Sequence, residues 1–373
     1  GFIDNARLGT PSADVNAPDY LGKNKGKNHY YFLPLILGLI GMLFHFKQNN
    51  QDALAVLLFI LFTGVLIIVY LNIVPFQPRE RDYAYVGSFY AFAIWIGLGV
   101  LGIYDFISKH LDSKTSASLA TIFALVIPTL MAAENWDDHD RSGRFTALEV
   151  AKNYLNSCDK NAILFTNGDN DTFPLWYAQE VEGIRTDIKV VNLSLFNTDW
   201  YIDQMKRASY DAAPIPSSLE HDDYRTGTRD YTPIQERFKD FIEVKDVVNF
   251  INSNNEKAKL KTSAGLKNYS PTKKLKLTVN KEIAKTFVPE EYQNRIVDEV
   301  KFKLKGSGVF KNKLLVLDIL ANFNWERPIY FAITVGKDNF MGLENYFQLE
   351  GLAYRLVPYS VPSPDGQTGV VNS

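Results

Sequence analysis

The chain changes character near residue 134. Four long apolar runs, residues 30–46, 53–74, 83–104 and 117–133, lie before that point, and none follows it. The second run holds 22 residues without one charge. At ~1.5 Å of rise per helical residue, such a run spans the roughly 30 Å hydrocarbon core of a bilayer. The first and last runs have 17 residues each, the short end of what can cross. Aromatic residues mark the ends of the runs, where rings favour the membrane interface: Tyr30, Tyr31, Tyr70, Tyr83, Tyr85, Tyr104 and Trp136. The pattern predicts a membrane α-helical bundle of about four transmembrane helices in residues 1–134. A soluble α/β domain with a mostly parallel sheet is expected over 135–373.

Whole-chain averages conceal this division. A net charge of −2 and a mean hydropathy of −0.13 describe an apolar third averaged with a polar remainder. No basic tail or stripe is present, which argues against a nucleic-acid partner. The single cysteine, Cys158, excludes an intramolecular disulfide framework. The chain starts at Gly1 with no signal-peptide pattern. A mature N-terminus is one reading; the expected one is a piece of a longer polypeptide, with residues 1–29 as a loop between membrane helices.

Four spans would put the N-terminal segment, the loop 75–82 and the soluble domain on one side of the membrane. Lys47, Lys109 and Lys114 fall on the other side. The first side carries Arg7, Lys23, Lys25, Lys27, Arg79 and Arg81. By the positive-inside rule the soluble domain would be cytoplasmic. Arg79 and Arg81 are interleaved with Glu80 and Asp82, however, as a functional cluster would be, so the charge count leaves sidedness open.

Beyond residue 134 the pattern alternates. Helical spacing covers 145–156, and a short apolar run at 162–166 is followed by the turn Asn167, Gly168, Asp169, Asn170, Asp171. A helix over 172–182, capped by Asp171 or Thr172 and stopped by Gly183, precedes a β-branched strand at 188–195 and a helix at 200–208. Strand–helix–strand–helix at this spacing argues for parallel strands joined by crossovers. Residues 210–233 read as a long loop, 238–252 as a helix, and the Lys-rich 256–285 as holding an exposed strand or hairpin around Leu275–Val279. A helix at 312–321 and strands at 328–334 and 353–357 follow.

Three polar clusters offer chemistry. The turn at 167–171 follows a strand, where open α/β sheets bind ligands. Asp169 and Asp171, beside Asn167, are two carboxylates that could hold a divalent cation and through it a phosphate or sugar. The alternative is a helix-capping turn. The second cluster, Asp137, Asp138, His139, Asp140 and Arg141, directly follows the last apolar run. Carboxylates with an imidazole bind metal or exchange protons, and arginine holds phosphate in bidentate fashion. A solvated juncture is the alternative. The third is the loop 75–83, where Arg79 and Arg81 at the mouth of two membrane helices suit an anionic lipid headgroup, or else simple anchoring. Trp176, Tyr177, Trp200 and Tyr201 follow the strand ends and read as packing, although rings also stack on sugars. No Ser-His-Asp set, phosphate-binding glycine loop or cysteine-rich metal site is present.

Six segments together resemble a bacterial family of large multi-pass membrane proteins described as protein O-mannosyltransferase-like. They are Pro-Arg-Glu-Arg-Asp-Tyr at 78–83, Trp-Asp-Asp-His-Asp-Arg-Ser-Gly-Arg at 136–144 and Asn-Gly-Asp-Asn-Asp-Thr-Phe-Pro-Leu-Trp-Tyr at 167–177. The others are Arg-Thr-Asp-Ile at 185–188, the Asn-Thr-Asp-Trp-Tyr-Ile-Asp-Gln-Met run at 197–205 and Trp-Glu-Arg-Pro-Ile-Tyr-Phe-Ala at 325–332. The resemblance, to the carboxyl-terminal part of such proteins, implies a GT-C type glycosyltransferase. Such enzymes move a sugar, here mannose, from a lipid-linked phosphosugar to a secreted or membrane protein acceptor. It implies a bacterial inner-membrane protein with a periplasmic soluble domain, against the charge count. In such folds the catalytic carboxylate lies near the start of the protein, so this chain alone would be inactive. On that reading Arg79 and Arg81 meet the lipid phosphate, with Asp82 beside them in the substrate site. Asp137, Asp138, His139, Arg141, Asn167, Asp169 and Asp171 line an acceptor or sugar site, with a divalent cation at Asp169 and Asp171. Two other readings remain: a transferase using a soluble nucleotide sugar through Asp169 and Asp171, and a non-catalytic binding or assembly module at the membrane.

Overall fold

A computed structural model describes residues 28–72, 81–262, 265–361 and 368–371. The chain divides into two compact units, residues 1–143 and 144–373.

The first unit is helical. Helices α1 (Leu33–Gln48), α2 (Asn50–Thr63), α3 (Val65–Leu71), α4 (Val86–Ile107) and α5 (Ser113–His139) follow one another, with a 3₁₀ turn at Asp82–Tyr85 leading into α4. Asn49 caps α2 by accepting from the N–H groups of Gln51 and Asp52, and Asp112 caps α5 by accepting from Thr115. Among the described residues three stretches are long and apolar enough to cross a membrane: Asn50–Leu71, Asp82–Ile107 and Ser113–His139. The expected fourth span is shorter than its apolar run. Tyr31 and Phe32 take left-handed backbone (φ 49° and 55°), so α1 starts only at Leu33 and has 16 residues. That makes a rod of about 24 Å, short of the hydrocarbon core. α1 packs on α4 at backbone distance. A Cβ on Gly41 would lie 1.7 Å from the carbonyl oxygen of Trp95, and one on Gly99 would lie 2.3 Å from that of Leu37. Small residues permit this approach where lipid supplies no hydrophobic drive between helices. These helices make the chain an integral membrane protein.

The second unit is α/β with mixed sheets. In order it contains α6 (Thr146–Asn156), β1 (Ile163–Thr166), α7 (Asp169–Glu180), β2 (Lys189–Asn192), α8 (Asp199–Met205), α9 (His221–Tyr224), β3 (Tyr231–Pro233), β4 (Ile242–Glu243) and α10 (Val244–Asn252). Then come β5 (Lys259–Thr262), β6 (Gly265–Asn268), β7 (Lys274–Thr278), α11 (Lys281–Phe287), β8 (Glu299–Lys303), β9 (Gly308–Phe310) and α12 (Lys311–Asn322), and finally β10 (Ile329–Ala332), β11 (Phe347–Glu350), β12 (Ala353–Leu356) and β13 (Val370–Val371). The main sheet runs β13-β11-β12-β10-β1-β2. β10, β1 and β2 are parallel, with Ile163 opposite both Ile329 and Lys189. Every residue of these three strands is buried, as expected for strands covered on both faces.

The expectation of a mostly parallel sheet holds only for this half. β12 runs antiparallel to both β10 and β11, because β11 and β12 form a hairpin. Its turn passes through Gly351 at φ +55°, where a Cβ would meet the Ser157 hydroxyl at 2.2 Å. β3 with β9, β4 with β7 and β8, and β5 with β6 form separate small sheets. The helix expected over 238–252 is shorter, because Ile242 and Glu243 leave it to pair in parallel with Leu275 and Lys276.

Candidate functional site

The carboxyl ends of β1 and β10 and the amino end of α7 enclose a cavity of about 370 Å³. It is lined by Tyr154 of α6, Asn167, Gly168, Asn170, Asp171, Pro174 and Thr334, among others. α7 starts at Asp169, three residues before its expected start, and Asp171 lies in its first turn. The Asp171 carboxylate turns back over the turn. It accepts from the backbone N–H of Gly168 at 2.9 Å and of Asn167 at 3.1 Å, and from the Thr334 hydroxyl at 2.6 Å. A first-turn carboxylate folded back on the N–H groups that precede its helix also meets the positive end of the helix dipole. The residue is buried, and its hydrogen bonds sew the β1–α7 turn to the end of β10.

The rest of the turn is equally well held. Thr172 donates to the carbonyl of Gly168 at 2.7 Å and receives the Asn192 amide at 2.9 Å. The Ser194 hydroxyl donates to the Asn167 carbonyl at 2.6 Å, and Asn339 donates to the Asn167 side chain at 3.1 Å. Burial pushes the Tyr154 hydroxyl above its ordinary range, while hydrogen bonding with Thr334 pulls the other way. The result is a rigid polar floor built from the ends of β1, β2 and β10. Asn167 and Asp171 belong to it; Asp169 is exposed at the first position of α7 and makes no side-chain hydrogen bond among the described residues. Tyr154, Asn192, Ser194, Thr334 and Asn339 were not singled out from sequence. Thr334 and Ser194 were findable, since each closely follows a strand.

As a cation site this arrangement fits poorly. Asp171 faces two N–H donors and a hydroxyl, while Asp169 faces solvent, so the pair does not converge. Among the described residues no group of three His, Cys, Asp or Glu side chains gathers as a metal site.

In the first unit, the second cluster ends α5. Asn28 donates to Asp138 at 2.6 Å and to Asn135 at 3.0 Å, and the N–H of His29 donates to Glu134 at 3.0 Å. Asp138 therefore ties the approach to α1 to the end of α5. His139 Nδ1 lies 3.0 Å from the carbonyl of Asn135, one turn back in its own helix. Asp140 accepts from the N–H of Ser142 at 2.9 Å and from its hydroxyl at 2.5 Å. Asp137 and Arg141 are exposed. Of the third cluster, Arg81 and Asp82 are exposed at the start of the 3₁₀ turn before α4; Arg79 lies outside the described residues.

Two other segments behind the resemblance are structural ties. Arg185 holds Asp187 in a bidentate pair at 2.9 and 3.0 Å. It also donates to the carbonyls of Leu155, Cys158 and Asp159, and Asp187 accepts from the N–H of Asn161. Arg327 donates to the carbonyls of Asn161 and Pro214 at 2.7 Å each, and Trp325 donates to that of Thr278 at 3.0 Å. These ties lock the loops at the amino end of the sheet.

A multi-helix membrane unit joined to an α/β unit with a strand-end cavity defines the general class. Residues 147–373 match the family described as TMEM260-associated domain 2, and the chain belongs to that family. A mouse protein named protein O-mannosyl-transferase TMEM260 is 24% identical over 115 residues, 31% of this chain and 16% of that protein. The match thus spans less than a fifth of the mouse protein. No solved structure matches the chain.

Proposed function

We propose that this chain is the carboxyl-terminal part of a GT-C type membrane glycosyltransferase that moves a sugar, mannose first among candidates, from a lipid-linked phosphosugar to a hydroxyl of a protein acceptor. The observation that carries the reading is the similarity to a protein O-mannosyl-transferase in a chain with membrane-capable helices. In the reaction the acceptor oxygen forms a bond to the anomeric carbon, the bond from that carbon to the lipid phosphate breaks, and the hydroxyl proton leaves to a base. Catalytic assistance is differential stabilisation of the phosphate as it departs. Arg79 and Arg81 are assigned to that phosphate, and Asp82 to the same substrate site. The end of α5, through Asp137, His139 and Arg141, is assigned to the acceptor approach. The cavity at Asn167 and Asp171 is assigned to the acceptor polypeptide, whose carbonyl and amide groups suit a polar floor with fixed donors and acceptors. No residue of this chain is assigned as nucleophile or base, and no step runs through a cation, because Asp171 is committed to backbone N–H groups. The same commitment weighs against a nucleotide-sugar site at Asp169 and Asp171. The setting proposed is a bacterial inner membrane with the α/β unit on the periplasmic side.

The test is mannosyl transfer to a secreted acceptor by the full-length protein, with Arg79→Ala and Arg81→Ala combined. Losing two charge-assisted contacts to a developing phosphate should lower the rate by about 100-fold or more. Wild-type transfer by the double variant would remove the phosphate role.

A further inference from the structure

We propose that the α/β unit carries a second binding site, a groove for a pyranose ring on the outer edge of the main sheet between α7 and α8. The groove encloses about 310 Å³ beside β2, and its walls include Trp176, Gln179, Trp200, Tyr201 and Gln204. That volume lies at the lower end for small-molecule pockets, the scale of a monosaccharide rather than a nucleotide sugar.

Its chemistry is that of sugar recognition, and it differs from ordinary core packing in three respects. First, one ring of the aromatic wall is not covered. Trp200 is 56% exposed although it stands edge-on to the fully buried Tyr201 at 5.6 Å. Trp176, stacked on Phe173 at 5.3 Å, completes the aromatic wall. An indole face carries negative quadrupole density and offers contact to the polarised C–H face of a pyranose. Second, the edge of β2 is not free to add a strand. The Tyr201 hydroxyl accepts from the N–H of Asn192 at 2.9 Å and reaches the carbonyl of Val190 at 3.5 Å. The groove is therefore closed to an extended peptide and open to a compact ligand. Third, a buried amide presents its acceptor there. Gln179 is 9% exposed, and its Nε2 is fixed by the carbonyls of Arg185 and Ile188 at 2.9 Å each. None of the described hydrogen bonds reaches its Oε1, and that oxygen is not among the sealed-off polar atoms without partners. Gln179 lines the groove, so this acceptor is available to a ligand there. An acceptor whose orientation is preset, beside exposed Gln204 and aromatic faces, matches a sugar hydroxyl over a C–H face.

The pyranose class follows from the groove alone; the choice of mannose as first probe rests on the transferase reading. The experiment is saturation-transfer NMR on the full chain in nanodiscs free of glycosidic detergent, with methyl α-D-mannopyranoside, methyl α-D-glucopyranoside and methyl β-D-galactopyranoside. Binding is expected, with saturation strongest on one face of the ring. Trp200→Ala should weaken it at least about tenfold, while Trp200→Phe, which keeps an aromatic face, should stay within about threefold of wild type. Gln204→Ala should weaken it too; both positions are exposed, so neither variant opens the core. No binding by any of the three glycosides, or binding unchanged in Trp200→Ala, overturns the proposal. Binding of another glycoside but not the mannoside sustains the groove and counts against the mannosyl reading. Absence of transfer activity by the full-length protein leaves the NMR result standing.

Discussion

At the scale of single residues, Asp169 and Asp171 show how one motif divides. Two carboxylates two positions apart invite a shared role, and the turn places them in opposite environments. Asp171 closes on the N–H groups of Asn167 and Gly168 and on Thr334, while Asp169 stands in solvent. Asp171→Asn retains the shape and loses the charge opposite the helix dipole, and should destabilise the α/β unit by about 1 kcal/mol. Asp171→Ala leaves two buried N–H groups and a hydroxyl without an acceptor and should cost about 2–3 kcal/mol. Asp169→Asn should stay within about 0.5 kcal/mol, since an exposed first-turn charge contributes little. Chemical unfolding of the three variants, followed by far-UV circular dichroism, gives the ranking; equal effects at 169 and 171 would contradict the capping geometry. The capping alternative was legible in the sequence. The third contact was not, because Thr334 lies 163 residues away and only the pairing of β1 with β10 brings it near.

At the scale of elements, periodicity found the buried parallel strands and the helices beside them, since continuous apolar runs and 3.6-residue spacing are local signals. It overextended elements where tertiary pairing wins. Residues 242–243 leave the helix expected over 238–252 to pair with β7, and the apolar run at 30–46 is cut at its start by left-handed Tyr31 and Phe32. The antiparallel β11–β12 hairpin was half seen, since only its second strand carries a clear run. The clamp of Arg185 and Asp187 was visible as a motif but not as a clamp, because its partners are carbonyls of α6 and the loop after it. Arg185→Lys loses the fork that serves Asp187 and three carbonyls together, and should destabilise by about 2 kcal/mol. The Arg185 guanidinium, with further help from the Asn161 N–H, outweighs burial and holds the Asp187 carboxyl below its ordinary value of 3.8. A carboxyl lowered by folding contributes stability that is present above its unfolded value and lost as pH falls through the folded one. The stability gap between wild type and Asp187→Asn should therefore be full near neutrality and shrink below pH 3.8, as denaturant midpoints across that range will show. A gap independent of pH would mean that the pair acts by shape alone.

At the scale of the whole molecule, the open matter is the side of the membrane on which the α/β unit folds. Two helices long and apolar enough to cross, Asp82–Ile107 and Ser113–His139, are joined by a short turn, and a crossing by both returns the chain to the side it left. That conclusion does not depend on whether α1 crosses. Lys109 and Lys114 lie at the far turn, and Arg81, Arg141 and Arg144 at the near ends. Counted alone, these charges favour a cytoplasmic α/β unit. The transferase reading requires the opposite side, and it explains Arg81 as a ligand for phosphate and Arg141 as part of the acceptor approach rather than as topology signals. A thiol introduced into this chain separates the two accounts when labelling is compared with the unsubstituted protein, because the chain's own cysteine is silent: Cys158 is buried, and burial pushes its thiol up to about 12. With Lys257→Cys at an exposed position, a membrane-impermeant maleimide should label the full-length protein in intact cells, without permeabilisation. Labelling that requires permeabilised cells would place the unit with the cytoplasmic nucleotide-sugar pool and away from the periplasmic acceptors. It would also return Arg81, Arg141 and Arg144 to the role the charge rule gives them.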